Sequence, residues 1–239
     1  MTHLAPVVLI LPVHDEAATV AAVIARAPAS AHGHPVHVVV VDDGSTDDSA
    51  VLAQRAGADV VRHGRCRGLG AAIRTGFEHA RARSAWAVAF LDADGEYDPQ
   101  ELERVLAPIA DGAADYVVGS RFRGTIGSML PHRRAGNLVL TMLTSAVARR
   151  RISDGQSGFR ALNAAALAVA EIEHDYNYAQ VLTLDLVRKG MRYGEVPIRY
   201  SRRRHGRSFV RPGRYLRRVL PAIARTVWRT RPVRATRRT

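Results

Sequence analysis

Short apolar runs alternate with stretches of helical periodicity over the first 120 residues. Pro6–Leu11 is a continuous apolar run of strand length, and Val36–Val41 is a second, rich in β-branched residues. Unbroken apolar runs of this length suit strands buried on both faces. Ala58–Val61, Trp86–Leu91 and Asp115–Gly119 add three more predicted strands. Between them, Glu16–Ala27, Asp47–Ala56, Gly68–Arg83 and Pro99–Ala110 read as helices, the last with proline in its first turn. Strand–helix alternation of this kind predicts an α/β fold, a mostly parallel sheet flanked by helices. After Arg121 the pattern changes. Phe122–Pro131 reads as a Gly-containing loop, and Ala135–Ala148 is a stretch without charge. Asp154–Leu162 reads as a turn then a strand, Asp175–Lys189 as a helix and Glu195–Tyr200 as a strand.

Parallel sheets bind ligands at the carboxyl ends of their strands. Polar clusters fall there: His14-Asp15-Glu16, Asp42-Asp43-Gly44-Ser45, Asp92-Ala93-Asp94 and Ser120-Arg121. Asp92 and Asp94 can both reach one hard divalent cation, Mg²⁺ or Mn²⁺, with Glu96 offering a third oxygen. The same residues also read as a solvated acidic turn. An acid of Asp42-Asp43 could accept from a base or ribose, or start the next helix with Ser45 as a cap. Gly68-Leu69-Gly70 opens a helix and could admit a phosphate, but lacks the Lys-Ser/Thr ending of a P-loop.

The chain has 239 residues, 47% of them hydrophobic, which allows one large domain or two small ones. A single cysteine, Cys66, excludes an internal disulfide framework and a Cys-rich zinc site. Its neighbours Arg65 and Arg67 suggest a lowered thiol pKa. His63, His132, His174 and His205 show no metal-ligand spacing and read as surface or loop residues. Met129, Met142 and Met191 read as packing residues. No run reaches the roughly 18–20 apolar residues of a spanning helix, and the opening apolar run reads as a strand rather than a signal peptide. The expectation is a cytoplasmic chain. The charge is uneven: residues 199–239 hold 15 arginines and no acid, while the rest is near neutral. Taken as a helix, Tyr215–Trp228 sets Leu216, Val219, Leu220, Ile223 and Val227 on one side and Arg214, Arg218, Arg225 and Arg229 on the other, with a kink at Pro221. Such a helix suits an anionic lipid surface at the inner face of a membrane, or packs on the core with a solvated arginine face. The uncharged Ala135–Ala148 segment invites the same two readings.

Taken in order and spacing, Pro12-Val13-His14-Asp15-Glu16, Val40–Asp47, Gly68-Leu69-Gly70-Ala71-Ala72, Asp92-Ala93-Asp94 and Gly119-Ser120-Arg121 resemble glycosyltransferase family 2, inverting nucleotide-sugar enzymes of the GT-A fold. Asp154–Arg160, Val196–Tyr200, Arg202 and His205–Ser208 are similar to the branch containing dolichyl- and polyprenyl-phosphate mannosyl- and glucosyltransferases. The resemblance implies a catalytic domain over residues 1–210, with a donor half to 120 and an acceptor half from 121, then a basic C-terminal helix and tail over 211–239. It implies a donor site from Pro12, His14, Glu16, Asp43, Asp92, Ala93 and Asp94, binding a GDP- or UDP-sugar. Asp92, Asp94 and Glu96 are then the metal ligands. Arg121, Arg134, Arg202 and Ser208 are then the acceptor residues, and the acceptor a polyprenyl phosphate. A hydroxyl acceptor on a soluble small molecule or glycan is the alternative, and Asp154 would then serve as general base, unless it is a turn carboxylate. Two departures stand out: Phe209 follows Ser208 where the family carries Lys, and His14 stands where relatives carry a Tyr-like residue. An arginine-tail nucleic-acid-binding protein is a further alternative, but the near-neutral body and the lack of a nucleic-acid-binding motif speak against it.

Overall fold

The computed structural model describes residues 4–127, 129–175, 178–201, 221, 223–226 and 228–229, the side chains at 132 and 133 excepted. Its elements run β1 (Val7–Val13), α1 (Val20–Ala25), β2 (Ser30–Ala31), β3 (His34–Asp42), α2 (Ser49–Arg55), β4 (Asp59–Arg62), α3 (Leu69–Ala82) and β5 (Ala87–Phe90). A 3-10 turn at Pro99–Glu101 leads into α4 (Leu102–Ala110), then β6 (Tyr116–Ile126), α5 (Pro131–Ala148), β7 (Arg160–Asn163), α6 (Ala164–Val169), α7 (Ala179–Arg188) and β8 (Tyr193–Tyr200). The sheet order is β2-β3-β1-β5-β7-β6-β8, with β4 pairing on β3. Strands β4, β3, β1 and β5 are parallel, as are β6 and β8. Only β7 and the short β2 run antiparallel to their neighbours.

Alternate residues of each central strand feed two cores, because successive side chains point to opposite faces. Val7, Leu9 and Leu11 join α1 and α4 through Val20, Leu102 and Leu106. Val8 and Ile10 join α3, α6 and α7 through Ile73, Phe77, Leu167 and Leu182. Burial on both faces is why the strands read as unbroken apolar runs.

Two features depart from the sequence reading. The expected loop Phe122–Pro131 is largely strand: β6 continues to Ile126, shifts register against β8 between Ser120 and Thr125, and α5 begins at Pro131. Its glycine serves packing, since a Cβ at Gly124 would stand 2.0 Å from the Ile198 carbonyl oxygen. Strand β7 falls in the expected turn-then-strand segment, but its reversed direction and helix α6 after it are not announced by a local pattern. Helix α6 starts where the Asn163 side chain accepts from the Ala166 N–H at 2.8 Å.

At the C-terminus, Ile223 is buried beside Leu184, and Arg229 pairs with Glu171 and Glu173. The described part of the basic helix therefore packs on the body, while the expected Tyr215–Leu220 portion lies outside the described residues. No helix among the described residues is long and apolar enough to cross a membrane.

Ile10 is fully buried and fills the space a side chain at Gly76 would need, its Cγ2 2.6 Å from the Cβ position there. Ile10→Ala removes that filling and should cost about 2–5 kcal/mol of unfolding free energy, measured by chemical denaturation, without changing the circular dichroism of the native state.

Candidate active site

The carboxyl ends of β3, β1 and β5 lie side by side, and the loop entering β7 reaches the same edge because β7 runs the other way. The first two ends are stitched together. The His14 Nδ1–H donates to the Asp43 carbonyl at 2.9 Å, the Asp15 N–H to Ser45 Oγ at 3.0 Å, and the Glu16 N–H to Ser49 Oγ at 2.8 Å. Asp15 takes a positive φ of 54° to make the corner. Pro12 is buried within β1, opposite Val41.

Asp43 is the centre of this half. Its carboxylate accepts from His63 Nδ1 at 2.7 Å, the Arg67 N–H at 2.9 Å, the Gly68 N–H at 2.7 Å and Cys66 Sγ at 3.3 Å. Burial pushes its pKa up, but the bonds from His63, Arg67, Gly68 and Cys66 outweigh that and hold it below the ordinary carboxylate range. Asp43 thus fixes the 63–68 loop over the β3 end. Gly44, at φ +73°, lets that loop close in, because a Cβ there would lie 2.5 Å from the Arg65 carbonyl carbon.

Two sequence expectations are corrected at this loop. The Cys66 thiol pKa is raised rather than lowered: burial comes first, then its bond to Asp43, and these outweigh any effect of the flanking arginines. His63 is buried rather than on the surface, its Nε2 3.0 Å from Thr75 Oγ1. The glycines opening α3 also have a packing cause. A Cβ at Gly70 would stand 2.0 Å from the His174 carbonyl oxygen, and the Gly70 N–H donates to the Asp175 carbonyl at 2.7 Å. That amide is spent on the chain itself rather than on a phosphate.

At the end of β5, Asp94 is buried and accepts the Glu96 N–H at 2.9 Å, and Ala93 between the two acids is buried. Asp92 lies against Gly158, where a Cβ would be 2.5 Å from its Oδ2. The buried Tyr97 hydroxyl accepts the Gly158 N–H at 2.8 Å and so holds that backbone in place. The Glu96 carboxylate accepts from the Tyr200 hydroxyl, and burial with that neighbouring charge pushes the Tyr200 pKa up. Among the described residues no group of three His, Cys, Asp or Glu side chains is arranged to hold a metal. Asp92 and Asp94 still suit a divalent cation of the magnesium type, which takes one or two carboxylates and completes its shell from substrate phosphate and water. The absent Cβ at Gly158 is what leaves the Asp92 oxygen its place.

Arg160 holds the loop that carries Gly158. It is fully buried, and its guanidinium donates to the carbonyls of Ser157 at 2.8 Å, Ala179 at 2.7 Å and Gly155 at 3.0 Å. It also donates to the hydroxyls of Tyr116 and Thr183. On the β6 side, Arg121 and Asp154 form a buried two-pronged pair, Nε–Oδ2 2.7 Å and Nη2–Oδ1 2.8 Å. Asp154 also accepts the Gln156 N–H at 3.1 Å, as a turn carboxylate does. Glu195 on β8 fixes the residue before it, accepting from the Ser153 N–H at 2.8 Å, the Ser153 hydroxyl at 2.7 Å and the Asp154 N–H at 3.3 Å. Arg134 is exposed in the first turn of α5. Arg202 and Ser208 lie outside the described residues.

The structure thus joins His14, Glu16 and Asp43 in one cluster, Asp92 and Asp94 in a second, and Arg121 and Asp154 in a third. His63, Tyr97, Arg160 and Glu195 were not among the expected site residues. Each acts through another residue and has no signature of its own, although Arg160 closes the Asp154–Arg160 motif.

A mostly parallel sheet with acidic strand ends along one edge, and one reversed strand beside them, is consistent with the GT-A fold that the family resemblance implies. The Glycosyl transferase family 2 model matches residues 8–169, and the chain belongs to that family. Polyprenol monophosphomannose synthase of Mycolicibacterium smegmatis is 32% identical over 215 residues, 83% of this chain and 78% of that protein. UDP-N-acetylglucosamine–dolichyl-phosphate N-acetylglucosaminyltransferase of Methanococcus voltae is 26% identical over 185 residues, 68% of this chain and 74% of that protein. Among solved structures, glucosyl-3-phosphoglycerate synthase of Mycobacterium tuberculosis, in complex with Mn²⁺, UDP and phosphoglyceric acid, superposes with a TM-score of 0.73. It shares 23% identity and covers 93% of this chain and 78% of that one.

Two predictions follow from this geometry. Gly158→Ala drives a methyl into Asp92 and displaces its carboxylate, so turnover should fall on the order of 100-fold with the fold retained, read from initial rates beside a thermal melt. For Asp43 the folded pKa is lowered, so its stabilisation is fully present above the unfolded carboxylate value of about 3.9 and is lost as pH falls through the folded value. Urea denaturation at a series of acidic pH values should show this loss, and Asp43→Asn should flatten it.

Proposed function

We propose that this glycosyltransferase moves a hexose of mannose or glucose type from a GDP- or UDP-sugar to a polyprenyl phosphate, with inversion at the anomeric carbon. The observation that carries the reading is the closure of Asp154, which is 0% exposed and has both oxygens held by Arg121. A hydroxyl acceptor needs a base to take its proton, and the expected base is locked in an ion pair. A phosphate acceptor is already an anion near neutral pH and needs none. The two named relatives, one a polyprenol and one a dolichyl-phosphate enzyme, support an acceptor of this class.

In this reading Pro12, His14, Glu16 and Asp43 line the nucleotide pocket, and Asp43 keeps the 63–68 loop closed over it. Asp92 and Asp94 face the donor diphosphate and would hold a Mg²⁺ or Mn²⁺ ion, with Glu96 held to one side by Tyr200. When bound, that ion offsets the negative charge gathering on the departing diphosphate. Arg121, Arg134, Arg202 and Ser208 serve the acceptor phosphate, and Asp154 acts by holding Arg121. An oxygen of the acceptor phosphate forms the bond to the anomeric carbon from the face opposite the departing diphosphate. The bond to the diphosphate oxygen breaks, and its electron pair leaves with the nucleoside diphosphate. Stabilisation of that developing charge is the larger part of the catalysis.

Product analysis with a panel of nucleoside diphosphate sugars and a short-chain prenyl phosphate tests this. The expected product is the prenyl phosphosugar, formed with Mn²⁺ or Mg²⁺ and lost with EDTA. Asp92→Asn and Asp94→Asn should each lower turnover by about 100- to 1000-fold. Glycosylation of phosphoglycerate or another hydroxyl acceptor, with prenyl phosphate untouched, would overturn the acceptor and return Asp154 to the role of base.

A further inference from the structure

Residues 199–239 hold 15 arginines and no acid, and where the structure describes the end of this tail it meets a carboxylate-rich segment of the body. Glu171, Glu173 and Asp175 alternate along 171–175, a strap between α6 and α7 with no helix or strand of its own. A segment without its own hydrogen-bond ladder is placed by whatever grips it.

Helix α3 grips it on one side. Arg74 donates to the Ile172 carbonyl at 2.8 Å and pairs with Asp175. The Gly70 N–H donates to the Asp175 carbonyl at 2.7 Å, and a Cβ at Gly68 would stand 2.5 Å from that same oxygen. The strap therefore backs the Gly68–Gly70 turn, whose Gly68 N–H is one of the donors to Asp43. Helix α7 and the tail grip the other side. Asp185 accepts the Glu171 N–H at 3.1 Å, and Lys189 bridges Asp185 and Glu171. Arg229 then forks across Glu171 and Glu173. Among the described residues Glu173 has no other ion-pair partner. Ile223 and Thr226, both buried, seat the same helix on the body. A cavity of about 280 Å³ lies between α3, the strap and Arg229, with Phe77 and Ile172 in its lining. Arg229 is thus joined to the strap by charge rather than by close packing.

We infer that Arg229 is a positioning residue of the donor site: it braces the 171–175 strap, and the strap holds the Gly68–Gly70 turn that Asp43 closes over the nucleotide. Without its guanidinium, three carboxylates within five residues repel one another, and the turn loses its backing. The inference rests on the donor half of the proposed function and is independent of the acceptor.

Two measurements on the full chain test it: calorimetric binding of UDP and GDP with Mn²⁺, and hydrogen exchange of the 67–72 amides. Arg229→Ala should weaken nucleotide binding by about three- to fivefold, the scale of exposed ion pairs acting together. The donor KM should rise by the same factor, with kcat and the acceptor KM unchanged. The Gly68 and Gly70 amides should exchange faster in this variant even without nucleotide. Arg229→Glu should have the larger effect, and the charge swap R229E/E173R should recover most of the loss. Nucleotide affinity should fall more steeply with salt in the wild type than in Arg229→Ala. Unchanged nucleotide affinity and unchanged 67–72 exchange in Arg229→Ala and Arg229→Glu would overturn the positioning role alone. A lowered melting point with donor and acceptor KM raised alike, and no recovery in R229E/E173R, would also overturn it, by reducing Arg229 to general stability. Failure of the wild type to bind either nucleotide would overturn the donor reading and the positioning role together.

Discussion

Arg160 places a full positive charge where no solvent reaches it. An ion of that kind survives burial only when every direction it points in meets an acceptor. Here the acceptors come from three parts of the chain: the Gly155–Ser157 turn, the Ala179–Thr183 start of α7, and Tyr116 on β6. The guanidinium therefore fixes the loop entering β7 against the sheet and against the helix behind it. Gly158 lies in that loop. Its backbone is pinned from the other side by Tyr97, and its missing side chain makes room for Asp92. The position of the Asp92 carboxylate is thus set through Gly158 by the buried charge of Arg160, two residues further along the chain.

The Arg121–Asp154 pair is arranged by the same logic. Glu195, held by Ser153, the Asp154 N–H and the Tyr193 hydroxyl, fixes the backbone on which Asp154 stands, and Asp154 in turn fixes Arg121. Two buried carboxylates and two buried arginines meet within a few residues of the β6 and β7 ends. Each is hydrogen-bonded in a geometry with little freedom, so a local change on one side is expected to reach the other through the 152–160 segment.

Much of the donor half was legible in the sequence, because it obeys local rules. Strands buried on both faces leave unbroken apolar runs, and acids that follow them directly can only lie at their carboxyl ends. The strand-end places of Asp42, Asp43, Asp92 and Asp94 follow from that, while the choice of Asp43 over Asp42 rested on the family resemblance. The acceptor half was read less well for physical reasons. The reversal of β7 depends on pairing with β5 and β6, which are distant in sequence. The continuation of β6 to Ile126 depends on β8 and on the close approach at Gly124. His63 lies in a loop, but its burial was not legible because it comes from Asp43 and Thr75, residues 20 before it and 12 after it. Cys66 was misjudged by its flanking arginines, whereas burial first and then the carboxylate across the loop raise its pKa.

Helix α5 shows what composition alone leaves open. A stretch without charge reads as core or as a lipid-facing helix, and the structure puts its threonines inward and its valine and methionine outward. Burying two threonines is tolerable because Thr144 bonds the Leu140 carbonyl at 2.8 Å and Thr141 bonds the Gly155 amide. Exposing the apolar side in water is unfavourable, by about 25 cal/mol for each Å² left uncovered. The inner side of the helix is not purely polar: Leu140, Val147 and Ala148 pack against the buried Leu184 and Ile223, so the threonine bonds to Leu140 and Gly155 lie beside an apolar seam that holds the helix on the body.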